Sequence, residues 1–111
     1  MELELKNAKC LPCEGYGKPL SNQDIENYFT NLPGWQLSED KKVISRKFEF
    51  KGFYKTIGFV NAVAWIANQE NHHPTMEISY NYCLVKLTTH ALKGLTPNDF
   101  ICAAKINSLL E

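Results

Sequence analysis

The chain has 111 residues, a length that suits one domain with one hydrophobic core. Its apolar fraction of 44% is ordinary for a globular protein and argues against disorder. Twelve basic and twelve acidic side chains cancel, which argues against a protein that binds nucleic acid by neutralising phosphates and against a basic helix lying on a membrane.

The sequence also offers no segment that we expect to enter a membrane. The longest nearly apolar run, residues 57–67, is too short to span a bilayer and is interrupted by Asn61. The first residues, MELELKNAK, contain no apolar signal region. We therefore expect a cytoplasmic protein with no membrane partner.

Four cysteines raise the question of a metal or redox site near the N-terminus. Cys10 and Cys13 form the pair CLPC, but a four-cysteine zinc site needs a second close pair, and Cys83 and Cys102 stand apart in apolar surroundings. A thioredoxin-like pair would open a helix, whereas the turn-rich stretch EGYGKPL follows CLPC. We interpret the cysteines of the pair as free thiols in a mobile arm.

The first strong helix signal follows that arm. Residues 1–20 are rich in Gly and Pro towards their end and predict an extended N-terminal arm, and residues 21–111 predict a single domain. Ser21 can cap a helix, and Asp24 lies near the positive end of its dipole. Apolar residues then recur at helical spacing until Pro33-Gly34 ends the helix.

Two strands around the turn-forming stretch SEDKK predict an antiparallel hairpin. In the second of them, Ile44, Phe48 and Phe50 share one parity, so this face should meet the core. From Phe53 to about residue 69 the period changes to that of a helix. We expect this helix to be the best buried element, with one stripe toward the core that Phe59, Val63 and Ile66 widen: Phe53, Ile57, Val60, Ala64 and Ala67.

The second half of the chain predicts another hairpin and a last helix. MEISY and the run CLVKLT alternate as two strands. Thr96 can cap the final helix, with Pro97 at its first position and Asp99 three residues beyond the cap. The order α-β-β-α-β-β-α predicts an α+β fold: a four-stranded, mainly antiparallel sheet with three helices packed on one face.

All three histidines lie where chain elements end. His72 and His73 lie at the exit of the long helix, which Pro74 terminates, and His90 ends the last strand. A metal site is disfavoured, because adjacent residues of an extended segment point in opposite directions. Acid–base catalysis needs only imidazoles that titrate near neutral pH. Ordinary turn or surface histidines are the third interpretation.

The spacing of these residues resembles a known family. His72-His73-Pro74 is followed by Tyr80, then by His90 and then by Asp99, as in the pterin-4a-carbinolamine dehydratase family. The stretches PGW, RKFEFKGF, SYNYCLVKLTTH and GLTPNDF resemble family members in order and spacing. The resemblance covers about residues 20 to 110, and CLPCEG resembles an arm of bacterial members.

This resemblance implies a hydro-lyase of tetrahydropterin recycling. Its substrate would be 4a-hydroxytetrahydrobiopterin, which aromatic amino-acid hydroxylases release, and its products quinonoid dihydropterin and water. The family implies no metal and no cofactor. It also implies a homodimer or homotetramer. Two alternatives stay open: a non-catalytic interaction or regulatory protein, like the dimerisation cofactors in the family, and a role in molybdopterin metabolism.

The resemblance also implies roles for individual residues. His72 and His90 would transfer protons at the leaving hydroxyl, and His73 would bind the pterin and assist at N5. Asp99 could orient a histidine or only complete the helix cap. The other positions that match the family's substrate site are Asn71, Thr88, Thr89, Ala91 and Trp35. An isolated Trp after Pro-Gly is, however, about as often a core residue.

The sequence departs from the family at acidic positions around the histidines. Many members carry a carboxylate where this chain has Asn68. Mammalian members carry acids where this chain has Asn71 and Ala91. Because all three histidines of the family signature are present, we expect dehydratase activity to be retained with a shifted pH optimum.

Overall fold

The computed structural model describes residues 2–12 and 15–111. Its elements, in chain order, are α1 (Glu2–Asn7), α2 (Asn22–Phe29), β1 (Gln36–Leu37), β2 (Ile44–Glu49), α3 (Phe53–Glu70), β3 (Thr75–Ile78), β4 (Tyr82–Leu87), a 3-10 turn (His90–Leu92) and α4 (Pro97–Ser108). No helix among these residues has the length and apolar character needed to cross a membrane.

The four strands form one antiparallel sheet in the order β1-β2-β4-β3. In the central pair, Ile44 lies opposite Leu87 and Phe48 lies opposite Cys83. These side chains are buried together with residues of α2, α3 and α4, whereas the opposite parity of the strands stays more exposed. The predicted α+β fold is therefore confirmed, with the helices covering one face of the sheet.

The ends of α2 follow the local signals of the sequence. The Ser21 hydroxyl accepts a hydrogen bond from the backbone N–H of Asp24 at 3.2 Å. After the helix, Gly34 adopts φ +88°, a conformation that a side chain would strain. An ideal Cβ there would lie 2.7 Å from the guanidinium carbon of Arg46, the far end of a flexible side chain that would have to move, so the positive φ is the main reason for glycine.

An acidic side chain accepts hydrogen bonds within the turn between β1 and β2. The Ser38 hydroxyl donates to Asp40 Oδ1 at 2.7 Å, and the backbone N–H of Lys42 donates to the same oxygen at 3.1 Å. These two hydrogen bonds, the one from the Ser38 hydroxyl more than the one from the Lys42 amide, hold the pKa of Asp40 below its usual range. The hydrogen bonds of this turn are therefore strongest when the Asp40 carboxyl is ionised.

The buried side of α3 is narrower than the predicted stripe. Phe53 is 52% exposed and Ala64 is also exposed, whereas Thr56, Phe59 and Val63 are buried. The burial of Phe59 and Val63 agrees with the widened stripe, whereas Phe53 and Ala64 face away from the core. The helical period alone does not set the width of the buried face. Packing on the sheet determines which residues of α3 are buried: the ring of Phe59 packs on Phe48 of β2 with ring centroids 4.6 Å apart.

The best buried element is α4, not α3 as predicted. Nine of its residues are buried against four in α3, and they run almost without interruption from Asn98 to Asn107. The reason is its position, because α4 packs against α3 as well as against α1. A helix with neighbours on several sides buries polar positions that its own sequence pattern would assign to solvent.

The N-terminal arm is also not fully extended. Residues Glu2–Asn7 form α1, which packs against α4. The Lys105 ammonium donates to the backbone carbonyl of Lys6 at 2.8 Å. A helix of six residues is not stable alone, so its formation depends on this packing, which the sequence of the arm does not reveal. The division into arm and domain at residue 20 stays a prediction, and Cys13 lies outside the described residues.

Candidate active site

The histidine pair begins where α3 ends. Asn71 forms the C-terminal cap of α3 in the left-handed conformation, with φ +52° and ψ +41°. The backbone N–H of His72 then bonds the carbonyl of Ala67 at 3.1 Å. This reversal turns His72 inward, to 7% exposure, while the next residue, His73, is exposed. The two neighbouring imidazoles therefore point apart, as adjacent residues of an extended segment should.

The inward imidazole meets a buried carboxylate. His72 Nε2 lies 2.6 Å from Oδ1 of Asp99, which is fully buried in the first turn of α4. The other oxygen, Oδ2, accepts hydrogen bonds from the Thr89 hydroxyl at 2.8 Å and from the backbone N–H of Thr96 at 3.0 Å. The Thr89 and Thr96 hydroxyls are 2.8 Å apart. We call these four residues the His72–Asp99 network.

The hydrogen bonds of this network determine which ring nitrogen of His72 can act. Oδ2 of Asp99 already accepts two hydrogens, as a carboxylate oxygen does, and a carboxylate offers acceptors only. His72 Nε2 must therefore donate its N–H to Oδ1. The other ring nitrogen, Nδ1, is then the position at which His72 can take up and release a proton.

The third histidine follows the network directly in the chain. His90 opens the 3-10 turn that begins after Thr89, and its side chain is exposed. The turn is closed by the backbone N–H of Thr89, which donates to the carbonyl of Gly94 at 3.0 Å. His73 and His90 each adjoin a network residue, so their Cα atoms lie about 3.8 Å from those of His72 and Thr89, respectively. The fold thus gathers all three histidines near the start of α4.

Two of the remaining predicted positions have exposed side chains beside the histidines. Asn71 is the cap residue of α3, and Ala91 lies in the 3-10 turn. Asn68 is also exposed. Thr88 is half-buried, and its hydroxyl donates to the carbonyl of Lys42 at 2.6 Å, so it is already engaged by the β1–β2 turn.

Trp35 lies in the core and away from the histidines. It is 5% exposed, its indole N–H donates to Asn107 Oδ1 at 2.8 Å, and its ring contacts Phe48 edge to face. Asn107 is eight residues beyond Asp99 on α4, or about 12 Å along the helix axis at 1.5 Å per residue. This location agrees with the core interpretation of Trp35.

Thr96 is the network member that the sequence offered only as a helix cap. The available signal was the pair Thr96 and Asp99, a capping box in which the acid reaches back to the cap residue. That pattern predicts the contact within the helix turn. It does not predict that the same carboxylate also binds His72 and Thr89, which come from other elements.

The described cavities lie elsewhere. One of about 270 Å³ is lined by Pro33, Gly34, Arg46, Asn107 and the C-terminal residues, and one of about 390 Å³ lies along β2 and its neighbours. Neither of these two cavities is lined by a histidine, and the side chains of His73 and His90 are exposed. Within residues 2–12 and 15–111, no three His, Cys, Asp or Glu side chains are grouped to hold a metal ion.

The comparisons with known proteins agree on one family. Residues 18–109 match the family described as pterin 4 alpha carbinolamine dehydratase. A Legionella pneumophila protein provisionally named pterin-4-alpha-carbinolamine dehydratase is 54% identical over 111 residues, covering 99% of this chain and 98% of its own. A Nitrosomonas eutropha protein with the same provisional name is 53% identical over 108 residues, covering 96% and 94%.

Solved structures support the same fold. The transcriptional coactivator/pterin dehydratase of Brucella melitensis superposes with a TM-score of 0.80 at 32% identity, covering 85% of this chain and all of that one. A pterin dehydratase-like protein identified as a RuBisCO assembly factor superposes with a TM-score of 0.60 at 19% identity, covering 68% and 88%. At that identity the second likeness concerns the fold alone.

Proposed function

Because the chain belongs to the pterin-4a-carbinolamine dehydratase family, we propose that it dehydrates 4a-hydroxytetrahydrobiopterin to quinonoid dihydropterin and water. In this proposal it is a hydro-lyase that serves tetrahydropterin recycling beside an aromatic amino-acid hydroxylase. The observation that carries the proposal is the His72–Asp99 pair, a buried imidazole held by a carboxylate, with exposed imidazoles on the residues that follow His72 and Thr89. This is an arrangement for moving protons, and elimination of water from a carbinolamine requires no other chemistry.

The reaction needs one proton delivered and one removed. The 4a hydroxyl leaves as water once it is protonated, and N5 of the pterin loses its proton as the new double bond forms. In the proposal His72, through Nδ1, and His90 exchange protons with the leaving hydroxyl. His73, which is exposed beside them, binds the pterin and assists at N5. Each such group contributes roughly 10²- to 10⁴-fold to the rate.

Asp99 and Thr89 act through His72 in this proposal. Both are buried, at 0% and 1% exposure, so neither would contact a pterin as the family match implied for Thr89. Their hydrogen bonds fix the ring orientation and keep the proton on Nε2. Asn71 and Ala91, which are exposed beside His72 and His90, would border the ligand. Trp35, as a core residue, would support the fold instead of stacking on the pterin.

The test is the decay of freshly generated 4a-hydroxytetrahydrobiopterin, followed by stopped-flow absorbance. Wild-type protein should accelerate the decay, and His72→Gln and His90→Ala should each reduce kcat by roughly 10²-fold or more. Glu39→Gln, an exposed change in the β1–β2 turn, should leave the rate unchanged. Circular dichroism shows whether each variant is folded. A folded wild type without activity at any pH between about 5 and 9, the range in which histidine titrates, would refute the proposal.

An exposed face of α3 supports a homo-oligomer. Tyr54 and Trp65 are 92% and 66% exposed, and with Gly58 and Asn61 they recur at helical spacing along one stripe. Large exposed aromatic residues on one face of a helix are typical of interaction surfaces. We therefore propose that a second copy of the chain covers this face. Light scattering should then give a dimer or tetramer for wild type and a smaller species for Tyr54→Lys with Trp65→Lys.

The same face is the observation that favours the alternative, a non-catalytic interaction protein. The two functions are separable, because the aromatic stripe lies on α3 and the imidazoles lie beyond its end. A protein that only binds a partner would keep that binding in His72→Gln and His90→Ala. An enzyme would lose turnover in the same variants.

A further inference from the structure

The N-terminal arm places one cysteine against another that is far away in the sequence. Cys10 Sγ lies 3.7 Å from Cys102 Sγ, across 92 positions of the chain. Both are free thiols. The sequence suggested instead that Cys102 stands apart in apolar surroundings and that Cys10 belongs to a mobile arm. Cys102 lies in the hydrophobic core as expected, but it does not stand apart, because the arm packs on α4 and brings the two sulfurs into contact.

Several hydrogen bonds hold Cys10 in this position. The backbone N–H of Cys10 donates to Glu70 Oε1 at 2.9 Å. The next residue, Leu11, exchanges two bonds with the buried Asn98: its N–H donates to Asn98 Oδ1 at 3.0 Å, and its carbonyl accepts from Asn98 Nδ2 at 2.7 Å. The pairing of the two sulfurs is therefore ordered before any bond forms between them, which removes most of the entropic cost of bringing them together.

The two thiols differ in access, and the pKa of Cys102 is raised. Cys10 is half-buried, so a small oxidant in solution can reach it, whereas Cys102 is 1% exposed. The hydrogen bond with Cys10, burial and the nearby carboxylates of Asp99 and Glu70 raise the pKa of Cys102. Cys102 is thus poorly suited to react first with an oxidant, and it is well placed to react second.

We propose that Cys10 and Cys102 form a reversible disulfide when the protein meets a hydroperoxide. The Cys10 thiolate attacks one peroxide oxygen, the O–O bond breaks, and Cys10 becomes a sulfenic acid while hydroxide takes up a proton to give water. The Cys102 sulfur then attacks the sulfenic sulfur. Its proton and the departing hydroxyl leave as a second water. In sum, two thiols lose two electrons and two protons, and one hydrogen peroxide becomes two waters.

The bond would tie the arm to α4 beside the histidine site. Cys102 follows Asp99 by three residues, and its sulfur lies 4.0 Å from the carbonyl oxygen of His72. Closing a loop of roughly 90 residues restricts the unfolded chain strongly, by the loop-entropy relation for cross-links. For a domain of about this size, the midpoint of thermal unfolding should rise by roughly 5 to 20 °C on oxidation.

The experiment compares folded wild type with Cys13→Ser, Cys102→Ser and Cys83→Ala, each treated with hydrogen peroxide and then with an alkylating reagent. Cys13→Ser leaves a single cysteine in the arm, so the linkage found by mass spectrometry is unambiguous. Cys83→Ala removes the buried thiol of a β4 residue that lies opposite Phe48 in the sheet, and it should leave the link between Cys10 and Cys102 unchanged.

The expected result is a linked pair of peptides containing Cys10 and Cys102 in wild type, Cys13→Ser and Cys83→Ala. Dithiothreitol should separate the pair, and Cys102→Ser should lack it together with the rise in unfolding temperature. Two results would overturn the proposal. One is a folded Cys13→Ser protein that forms no such link, including one in which Cys10 proceeds to sulfinic acid. The other is a wild type in which Cys10 bonds only to Cys13.

Discussion

Replacing Asp99 by Asn changes the chemistry of the network with almost no change in volume. The amide oxygen can keep the two bonds from the Thr89 hydroxyl and the Thr96 backbone N–H, which both require an acceptor. The amide NH₂ then faces His72 Nε2 across the present 2.6 Å contact. Because a nitrogen that meets an N–H donor must itself accept, the proton of His72 moves to Nδ1.

The cost in stability follows from the three bonds that Asp99 makes. Hydrogen bonds to a charged group contribute about 1.5–3 kcal/mol each and neutral ones about 0.5–1.5 kcal/mol. Converting the three bonds to Asp99 from charged to neutral, at about 1–1.5 kcal/mol each, should therefore lower the free energy of unfolding by about 3–4.5 kcal/mol. Asp99→Ala would leave buried donors without an acceptor, at about 1–3 kcal/mol for each donor, and would cost more than Asp99→Asn, which endangers folding.

The cost in activity should be larger than the cost in stability suggests. With its proton on Nδ1, neutral His72 can no longer accept a proton from the ligand side. We expect kcat of Asp99→Asn to fall by roughly 10²- to 10⁴-fold, the range of one acid–base group, with little change in KM. Stopped-flow absorbance measures the rate, urea unfolding measures stability, and ¹⁵N NMR of the imidazole reports which nitrogen carries the proton.

Asp24 provides the matched control. It occupies the same third position of a capped helix, α2, but it is exposed and far from any histidine in the chain. Asp24→Asn should cost less than about 1 kcal/mol, the usual size of a helix-dipole effect, and should leave kcat unchanged. If Asp99→Asn retains full kcat and the Nε2 proton, Asp99 is only a helix cap and the reasoning about His72 is wrong.

Three further predictions concern the fold and its pH dependence. Trp35→Phe removes the N–H donated to Asn107 and should lower the free energy of unfolding by about 1 kcal/mol without raising KM; a tenfold increase in KM would instead indicate a ligand contact. Gly34→Ala puts a methyl group against the guanidinium of Arg46 at positive φ and should destabilise by about 1–3 kcal/mol in urea unfolding, whereas an unchanged midpoint would contradict the strain. The pKa of Asp40 is held below its usual 3.8, so its contribution to the free energy of unfolding is present above pH 3.8 and disappears as the pH falls through the lowered value. The difference in urea midpoint between wild type and Asp40→Asn should therefore be greatest at neutral pH and vanish in acid. A difference that grows in acid would contradict the lowered pKa.

The sequence alone was informative wherever a signal is local. Ser21 and Thr96 begin helices as predicted, and Pro33-Gly34 follows the end of α2. The alternation of Ile44 and Phe48 correctly identified the core face of β2. The family signature likewise depends on residue types at fixed spacing. Such features depend on the backbone and on near neighbours in the chain, so a sequence specifies them without reference to the rest of the fold.

The tertiary structure decided everything that depends on how elements meet. It narrowed the buried face of α3, made α4 the best buried helix, and folded α1 from a segment expected to be extended. It joined His72 to Asp99 across 27 positions and Cys10 to Cys102 across 92. No periodicity encodes these pairs, because their contact arises from the packing of α1, α3 and α4 together. The sequence therefore determined which chemical groups are present, and the packing of helices determined which of them face each other.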